Sequence, residues 1–290
     1  MEETKTNSSL YDTLVLSGSS IKGITFLGAL QYLYDNSLLK NVKTFIGTSS
    51  GAMISFLLII GYTPVEIFVY ICTNQILDRM QQFNIVAMIQ GSGATSFNYI
   101  HELLEKMTID KIGYLPTIEE LETRFGKKLI CVTHNLTEDK TEYITSETHP
   151  KIPCITALHM SANLPLIFEK FKYGHSFYID GGISDNFAIQ IGEEVGNNVL
   201  GINLVYSSDE LSNNTDTDTV EYIYKLMFIP VCQSVKYKIN QVSDKCKVIN
   251  LPSNVASQKF FDFNVKSSIK MDMFSDGYQQ LKEHFRPVVS

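Results

Sequence analysis

No run of basic residues, no Cys-x-x-C pair, no internal repeat and no low-complexity tract occurs in the 290 residues. With 24 Lys and Arg against 31 Asp and Glu, a formal charge of -7, the chain offers no nucleic-acid surface. The same balance disfavours simple adsorption to anionic membranes, although a local patch overrides a global sum. The five cysteines (Cys72, Cys131, Cys154, Cys232, Cys246) are scattered and odd in number. That pattern excludes a disulfide scaffold or a zinc site and points to a reducing compartment. The start, MEETKTNSSL, is polar and carries two glutamates, so no classical secretion signal is read there. The expected location is cytoplasmic, with peripheral contact to membranes at most. The glycosylation-type triplets at Asn7, Asn135 and Asn213 then have no consequence. An uninterrupted membrane-length apolar run is also missing. Residues 54–72 come nearest, but Gly61-Tyr62-Thr63-Pro64 divides them and Glu66 follows, so each half is too short to span a bilayer. Two buried helices separated by a turn are expected.

What is present is an ordinary globular composition, 44% hydrophobic and 19% charged, in a chain long enough to bury a sizeable core. Residues 13–17 (TLVLS) read as a short buried strand. A helix follows, with Phe26, Leu27, Leu30, Leu33 and Tyr34 at three- and four-residue spacing. A second strand over 42–46 runs into a helix over 50–60 that is apolar almost all round, hence central. Strand–helix–strand–helix is the signature of a parallel sheet covered on both faces. Farther on, helices are expected at 65–77, 98–107 and 117–125, strands at 128–133 and 142–145, and a helix at 155–160. A hairpin over 168–173 and 177–180 precedes a helix through Ile189 and Val195 and a buried strand over 199–205. A polar loop at 207–219, a helix at 220–239, a strand at 247–251 and a helix ending near Phe285 complete the chain.

Three stretches carry chemistry. In VKTFIGTSSG, Gly47-Thr48-Ser49-Ser50-Gly51 is a G-x-S-x-G arrangement between a strand and a helix. The sharp turn puts the Ser49 hydroxyl at an exposed strand tip, beside backbone N–H groups of the next helix turn. Gly47 and Gly51 let the chain bend and keep side chains off whatever approaches the serine. The second stretch, Gly18-Ser19-Ser20-Ile21-Lys22-Gly23, also joins a strand to a helix. Its N–H groups suit a phosphate or a developing oxyanion. A nucleotide reading fails in detail: Ile24 stands where the P-loop lysine must be, and the dinucleotide fingerprint lacks its second glycine. The third, Tyr178-Ile179-Asp180-Gly181-Gly182, places a carboxylate at a strand end with glycines opening space behind it. No partner histidine for Ser49 is evident; His101, His134, His149, His159, His175 and His284 occur without a recognisable setting.

Together and in this order the three stretches resemble the patatin-like phospholipase family. There a loop G-G-G-x-[KR]-G precedes a G-x-S-x-G serine, and an Asp-Gly-[GA] aspartate follows much later. Here LVLSGSSIKGITFLGAL matches the first block, with Lys22 and Gly23 at its end, and GTSSGAM matches the second. SANLPLIFEKF followed by YIDGGISDN matches the third and its approach segment. The resemblance covers about residues 13–190 and implies a single α/β domain over 1–290, three-layered α/β/α with a mainly parallel central sheet, which 207–290 completes. It implies a Ser–Asp dyad: Ser49 as nucleophile, Asp180 as its base, and an oxyanion hole lined by Gly18, Ser19, Ser20 and Ser50. Gly47, Gly51, Gly181 and Gly182 support the motifs. The implied activity is hydrolysis of phospholipid or other lipid acyl esters, without metal or cofactor.

Ser19 and Ser20 depart from the family's glycines, and a positive φ at either would cost of order 1–3 kcal/mol. Ala188 stands where the family often has proline, a minor change. Asn214, Asp216 and Asp218 alternate like a calcium loop, but Thr219 replaces the required glycine and the closing glutamate is missing. Phe260, Phe261 and Phe263 are read first as core packing and second as a lipid contact. Residues 91–95 are a candidate lid hinge.

Overall fold

The computed structural model describes residues 11–74, 84–205, 219–253 and 265–286. The expected loop at 207–219, its calcium-like carboxylates, and Phe260, Phe261 and Phe263 lie outside them, apart from Thr219. Among the described residues eight strands form one sheet: β1 (Thr13–Leu16), β2 (Thr44–Thr48), β3 (Lys128–Asn135), β4 (Lys140–Ile144), β5 (Phe171–Tyr173), β6 (Ser176–Asp180), β7 (Val199–Val205) and β8 (Cys246–Pro252). The order is β5-β6-β3-β2-β1-β7-β8, with β4 also on β3. β1, β2, β3, β7 and β8 run parallel, while β4 and β6 oppose β3 and β5 opposes β6. The sheet is therefore mainly parallel, as expected.

Eleven helices surround it among the described residues: α1 (Gly23–Asp35), α2 (Ser50–Ile59), α3 (Pro64–Thr73), α4 (Ile85–Ile89), α5 (Asn98–Ile112), α6 (Ile118–Phe125), α7 (Cys154–Ala162), α8 (Gly182–Asp185), α9 (Ile189–Val195), α10 (Thr219–Ile239) and α11 (Ser267–His284). The larger core gathers Phe26, Leu30, Phe56, Phe97, Leu158 and Met273 from α1, α2, α7 and α11 and the turn before α5. A second core, with Val15, Ile46, Phe187, Ile189 and Val235, joins α9 and α10 to the sheet. β1 is buried at every residue because both faces of the sheet are covered.

The break expected in the apolar run at 54–72 is made by identifiable chemistry. Gly61 takes φ 101°, a conformation costly for any other residue. Thr63 then caps α3: its hydroxyl accepts the Glu66 N–H while the Glu66 carboxylate accepts the Thr63 N–H, and Pro64 sits in the first turn. The two helices meet at 118°, and no single described helix is long and apolar enough to cross a membrane. α2 is buried nearly all round, whereas Val65 and Val69 of α3 are exposed. Two other expectations need correcting. The helix read through Ile189 from Gly182 is two helices, because the chain turns at 186–188 to bury Phe187 and Ala188. Residues 91–95 are tied down: Ala94 and Thr95 donate to the carbonyls of Leu166 and Ile167 at 2.9 and 2.8 Å, and the Asn84 N–H donates to Ala94 O at 2.8 Å. That segment is a strap held along one side by backbone bonds, not a loose hinge.

Candidate active site

Residues far apart in the chain meet because of one feature of strand register. β4 occupies one edge of β3 along residues 131–135, so β2 and β6 must share the other. β2 advances along that edge until Thr48 stands opposite Val132. β6 arrives from the opposite direction and ends with Asp180 opposite Thr133, the very next position. Ser49 follows Thr48 directly, so nucleophile candidate and acid candidate leave the sheet side by side.

Ser49 is the residue before α2, with φ 55° and ψ -121°, and it is 7% exposed. A non-glycine residue so placed is strained by about 1–3 kcal/mol and must be held from outside. Gly47 and Gly51 do part of this by close approach. A Cβ on Gly47 would lie 2.4 Å from the Ala52 nitrogen, and one on Gly51 would lie 2.6 Å from the Leu16 carbonyl oxygen. Neither glycine has positive φ; the left-handed positions are the serines Ser20 (φ 50°) and Ser49 themselves. The Ser49 N–H donates to Ser161 Oγ at 2.9 Å.

Asp180 is buried, 1% exposed. Its Oδ1 accepts the Gly182 N–H at 2.6 Å, and Gly181 links β6 to α8 in between. Its Oδ2 is buried with no hydrogen-bond partner among the described residues. Burial pushes the Asp180 pKa up to about 7, against the pull of the nearby Ser49 hydroxyl and the Gly182 N–H, which lower it.

The loop from Gly18 to Lys22 differs from its expected form. The Gly18 N–H donates to the Asn186 carbonyl at 3.1 Å, and the Ser19 N–H donates to Ser50 Oγ at 3.1 Å. The Ser19 and Ser50 hydroxyls also bond each other at 2.8 Å. Two amides expected in the oxyanion cradle thus have acceptors within the protein. Ser20 lines the cleft, and the Ser50 N–H belongs to the first turn of α2, where helix geometry supplies no acceptor. Lys22 is buried in the 3-10 turn (Ser20–Lys22) that leads into α1 at Gly23.

Beside these groups opens a cleft of about 900 Å³, counted out to open solvent. Ile24, Leu27, Leu57, Ile71, Leu104 and Phe168 are among its apolar walls, and Ser20, Ser49 and Ser50 are its polar lining residues. Among the described residues no cluster of three or more His, Cys, Asp or Glu could hold a metal ion. His159 stacks between Phe97 and Phe171, each ring 3.9 Å away, and burial drives its pKa down to about 3. It is a neutral packing group.

Sequence reasoning passed over the network behind Asp180. The Asp185 side chain meets Lys238 Nζ at 2.7 Å and accepts from the Tyr143 hydroxyl at 2.9 Å. The Asp185 carbonyl accepts from Thr48 Oγ1 at 3.0 Å. Ser161 and Asn186 were also passed over as individual residues, although both lie in the quoted segments SANLPLIFEKF and YIDGGISDN. No spacing rule distinguishes them, because their partners are non-local.

A mainly parallel α/β sheet with a serine elbow at its carboxyl edge and a buried carboxylate beside it defines the class. Residues 14–192 match the model of the patatin-like phospholipase family, and the chain belongs to that family. It is 38% identical over 187 residues to a protein of Invertebrate iridescent virus 6 named a probable lipid hydrolase, a match covering 62% of this chain and 63% of that protein. Among solved structures, VipD from Legionella pneumophila is similar with a TM-score of 0.55 at 15% identity, covering 97% of this chain and 69% of that one. Human GIVD cytosolic phospholipase A2 is similar with a TM-score of 0.51 at 10% identity, covering 93% of this chain and 56% of that one. These structural likenesses show the fold. The chain spans less than two thirds of the length of the viral relative and of the human phospholipase.

Proposed function

We propose that this chain is a serine-dependent lipid acyl hydrolase working through a Ser49–Asp180 dyad. The Ser49 oxygen attacks the ester carbonyl carbon and Asp180 takes the hydroxyl proton. An ordinary aspartate is a weak base at neutral pH, and the burial that lifts Asp180 to about 7 brings it close to the operating range. The oxyanion forms at the N-terminus of α2, where the Ser50 N–H and the helix dipole favour negative charge, with the Ser20 turn opposite. Asp180 returns its proton to the departing alcohol, leaving an acyl-serine. Water then attacks that ester and gives a proton to Asp180, which passes it to the departing Ser49 oxygen as the acid is released, restoring the free serine and the carboxylate. The apolar cleft suits the acyl chain, which makes phospholipids or similar acyl-ester lipids, met at a membrane surface, the substrate class. Family membership and the relative named a probable lipid hydrolase support the same reading.

The observation that carries it is the convergence of β2 and β6 on adjacent positions of β3, which brings Asp180 beside Ser49, itself a lining residue of an apolar cleft. A serine-reactive fluorophosphonate probe tests it: mass spectrometry is expected to find the label on Ser49. Ser49→Ala and Asp180→Asn are each expected to abolish hydrolysis of a p-nitrophenyl acyl ester and of phospholipid while circular dichroism stays native. Full activity in either variant would remove that residue from the mechanism.

One observation favours a second reading, an acyl-lipid-binding protein with little turnover. Ser50 Oγ occupies the Ser19 N–H, so one expected oxyanion donor is engaged at rest. A folded preparation that binds fatty acyl ligands and never labels supports that reading. Acyl transfer to an alcohol shares the acyl-serine step, and product analysis with added alcohol separates it from hydrolysis.

A further inference from the structure

We propose that Ser161 is a positioning residue, the joint that holds Ser49 and Asp180 in register; this rests on the hydrolase reading above. β2 and β6 converge on the same edge of β3 but end there, and no sheet bond joins one to the other. What spans the gap is the C-terminal end of α7, fastened over β3 by Thr133 Oγ1, which donates to the Met160 carbonyl at 2.8 Å. Ser161 Oγ accepts the Ser49 N–H at 2.9 Å, and the Ser161 carbonyl accepts the Gly181 N–H at 3.2 Å. Two residues on, the Asn163 carbonyl accepts the Asp180 N–H at 2.9 Å, and the Asn163 side-chain amide donates to the Tyr178 carbonyl at 3.1 Å. One residue therefore grips the main chain of the serine elbow with its side chain and the main chain just past the acid with its backbone.

The chemistry explains why a hydroxyl is needed there. Ser49 precedes the first helical residue and follows the last residue of β2, so α2 offers its N–H no acceptor and the strand has already ended. A buried N–H requires a partner. Ser161 is fully buried at 0% exposure, so its oxygen meets the Ser49 N–H out of contact with bulk water. Removing that oxygen lets the elbow relax from its strained geometry and moves the nucleophile relative to the carboxylate. A displacement of this kind costs rate more than binding.

The test compares Ser161→Ala with Ser161→Thr, which keeps the hydroxyl, and with Thr108→Val. Thr108 is a buried hydroxyl on α5 bonded to the Leu104 carbonyl at 2.6 Å, itself not among the cleft's lining residues, and serves as a control for lost stability. Ser161→Ala is expected to lower kcat for p-nitrophenyl butyrate roughly 10- to 100-fold with KM within about twofold. Fluorophosphonate labelling at Ser49 slows by the same factor, and Ser161→Thr restores most of both. Thr108→Val loses thermal stability and labels at the wild-type rate. Amide hydrogen exchange of the peptide covering residues 44–53 is expected to speed up in Ser161→Ala. If Ser161→Ala does not fold, Ser161→Cys, with a weaker acceptor in nearly the same volume, replaces it. Wild-type labelling by Ser161→Ala, a loss confined to KM, or equal slowing in Thr108→Val overturns the assignment. A wild-type protein that never labels defeats the hydrolase reading instead, and the exchange measurement then decides whether Ser161 holds the Ser49 amide.

Discussion

Two strand-to-helix turns flank the cleft, and they are stabilised differently. Both place a serine at positive φ, Ser49 at 55° and Ser20 at 50°. The turn at Ser49 is clamped by close packing and a buried tie: Gly47 and Gly51 admit main-chain atoms so closely that no Cβ fits, and the buried Ser161 hydroxyl takes the Ser49 N–H. The turn at residues 18–22 is held by smaller, polar ties, the Ser19–Ser50 hydroxyl bond and the Gly18 bond to Asn186. A nucleophile needs a single geometry throughout the reaction. An oxyanion cradle needs its donors only when charge develops, and side-chain hydroxyls can exchange partners then without moving the sheet. The difference assigns rigidity to the serine–acid side and adjustability to the loop side.

The largest effect expected on the rigid side concerns charge. Asp180 titrates near pH 7 in the folded chain against an ordinary 3.8, because burial disfavours its ionised form. Between those values the folded state holds more protons than the unfolded one, so this group's contribution to stability falls as pH rises through the window and stays lost above it. Asp180→Asn is therefore expected to be more stable than wild type at pH 8, by up to about 4 kcal/mol, and nearly equal at pH 4. Urea unfolding at the two pH values measures it. Activity has the opposite slope: kcat/KM of the wild type is expected to rise through pH 7 and level off, as the base must be ionised.

Gly51→Ala comes next. Its methyl group would meet the Leu16 and Ser17 carbonyl oxygens at 2.6 and 2.7 Å, both backbone atoms that cannot step aside. A loss of about 3 kcal/mol is expected, read as a lower thermal midpoint. Wild-type stability in this variant would break the contrast, because the elbow would then yield as readily as the loop. Ser20→Gly is expected to stabilise by about 1 kcal/mol through relief of the left-handed serine, with ester hydrolysis retained. The smallest effect is that of Ser50→Ala, which deletes the acceptor of the Ser19 N–H and leaves that amide available to an oxyanion. A several-fold rise in turnover is expected from steady-state assays. A fall would show instead that the serine pair holds the loop in its working shape.

Much of this arrangement was readable from residue order because it is local. The apolar run of β1, the G-x-S-x-G turn into α2 and the break at Gly61–Pro64 ahead of α3 depend on neighbours within a few positions. The exact course of 182–195 was not, since the break at 186–188 exists to bury Phe187 in a core built with β1, β2 and β3. The Asp185–Lys238–Tyr143 network likewise brings together α8, α10 and β4, which no periodicity connects.

The order of amino acids by itself determined the sheet-forming pattern and the two turns, since propensity and glycine spacing act over short range, while Ser49 and Asp180 stand out as a pair only through the family resemblance of the three motifs. Only the tertiary structure decided that those two groups adjoin, through the shared edge of β3, and that Ser161 and Ser50 claim particular amides. It also decided the pKa of Asp180, because a pKa answers to burial and surrounding dipoles, and these come into being only when distant segments close around the carboxylate.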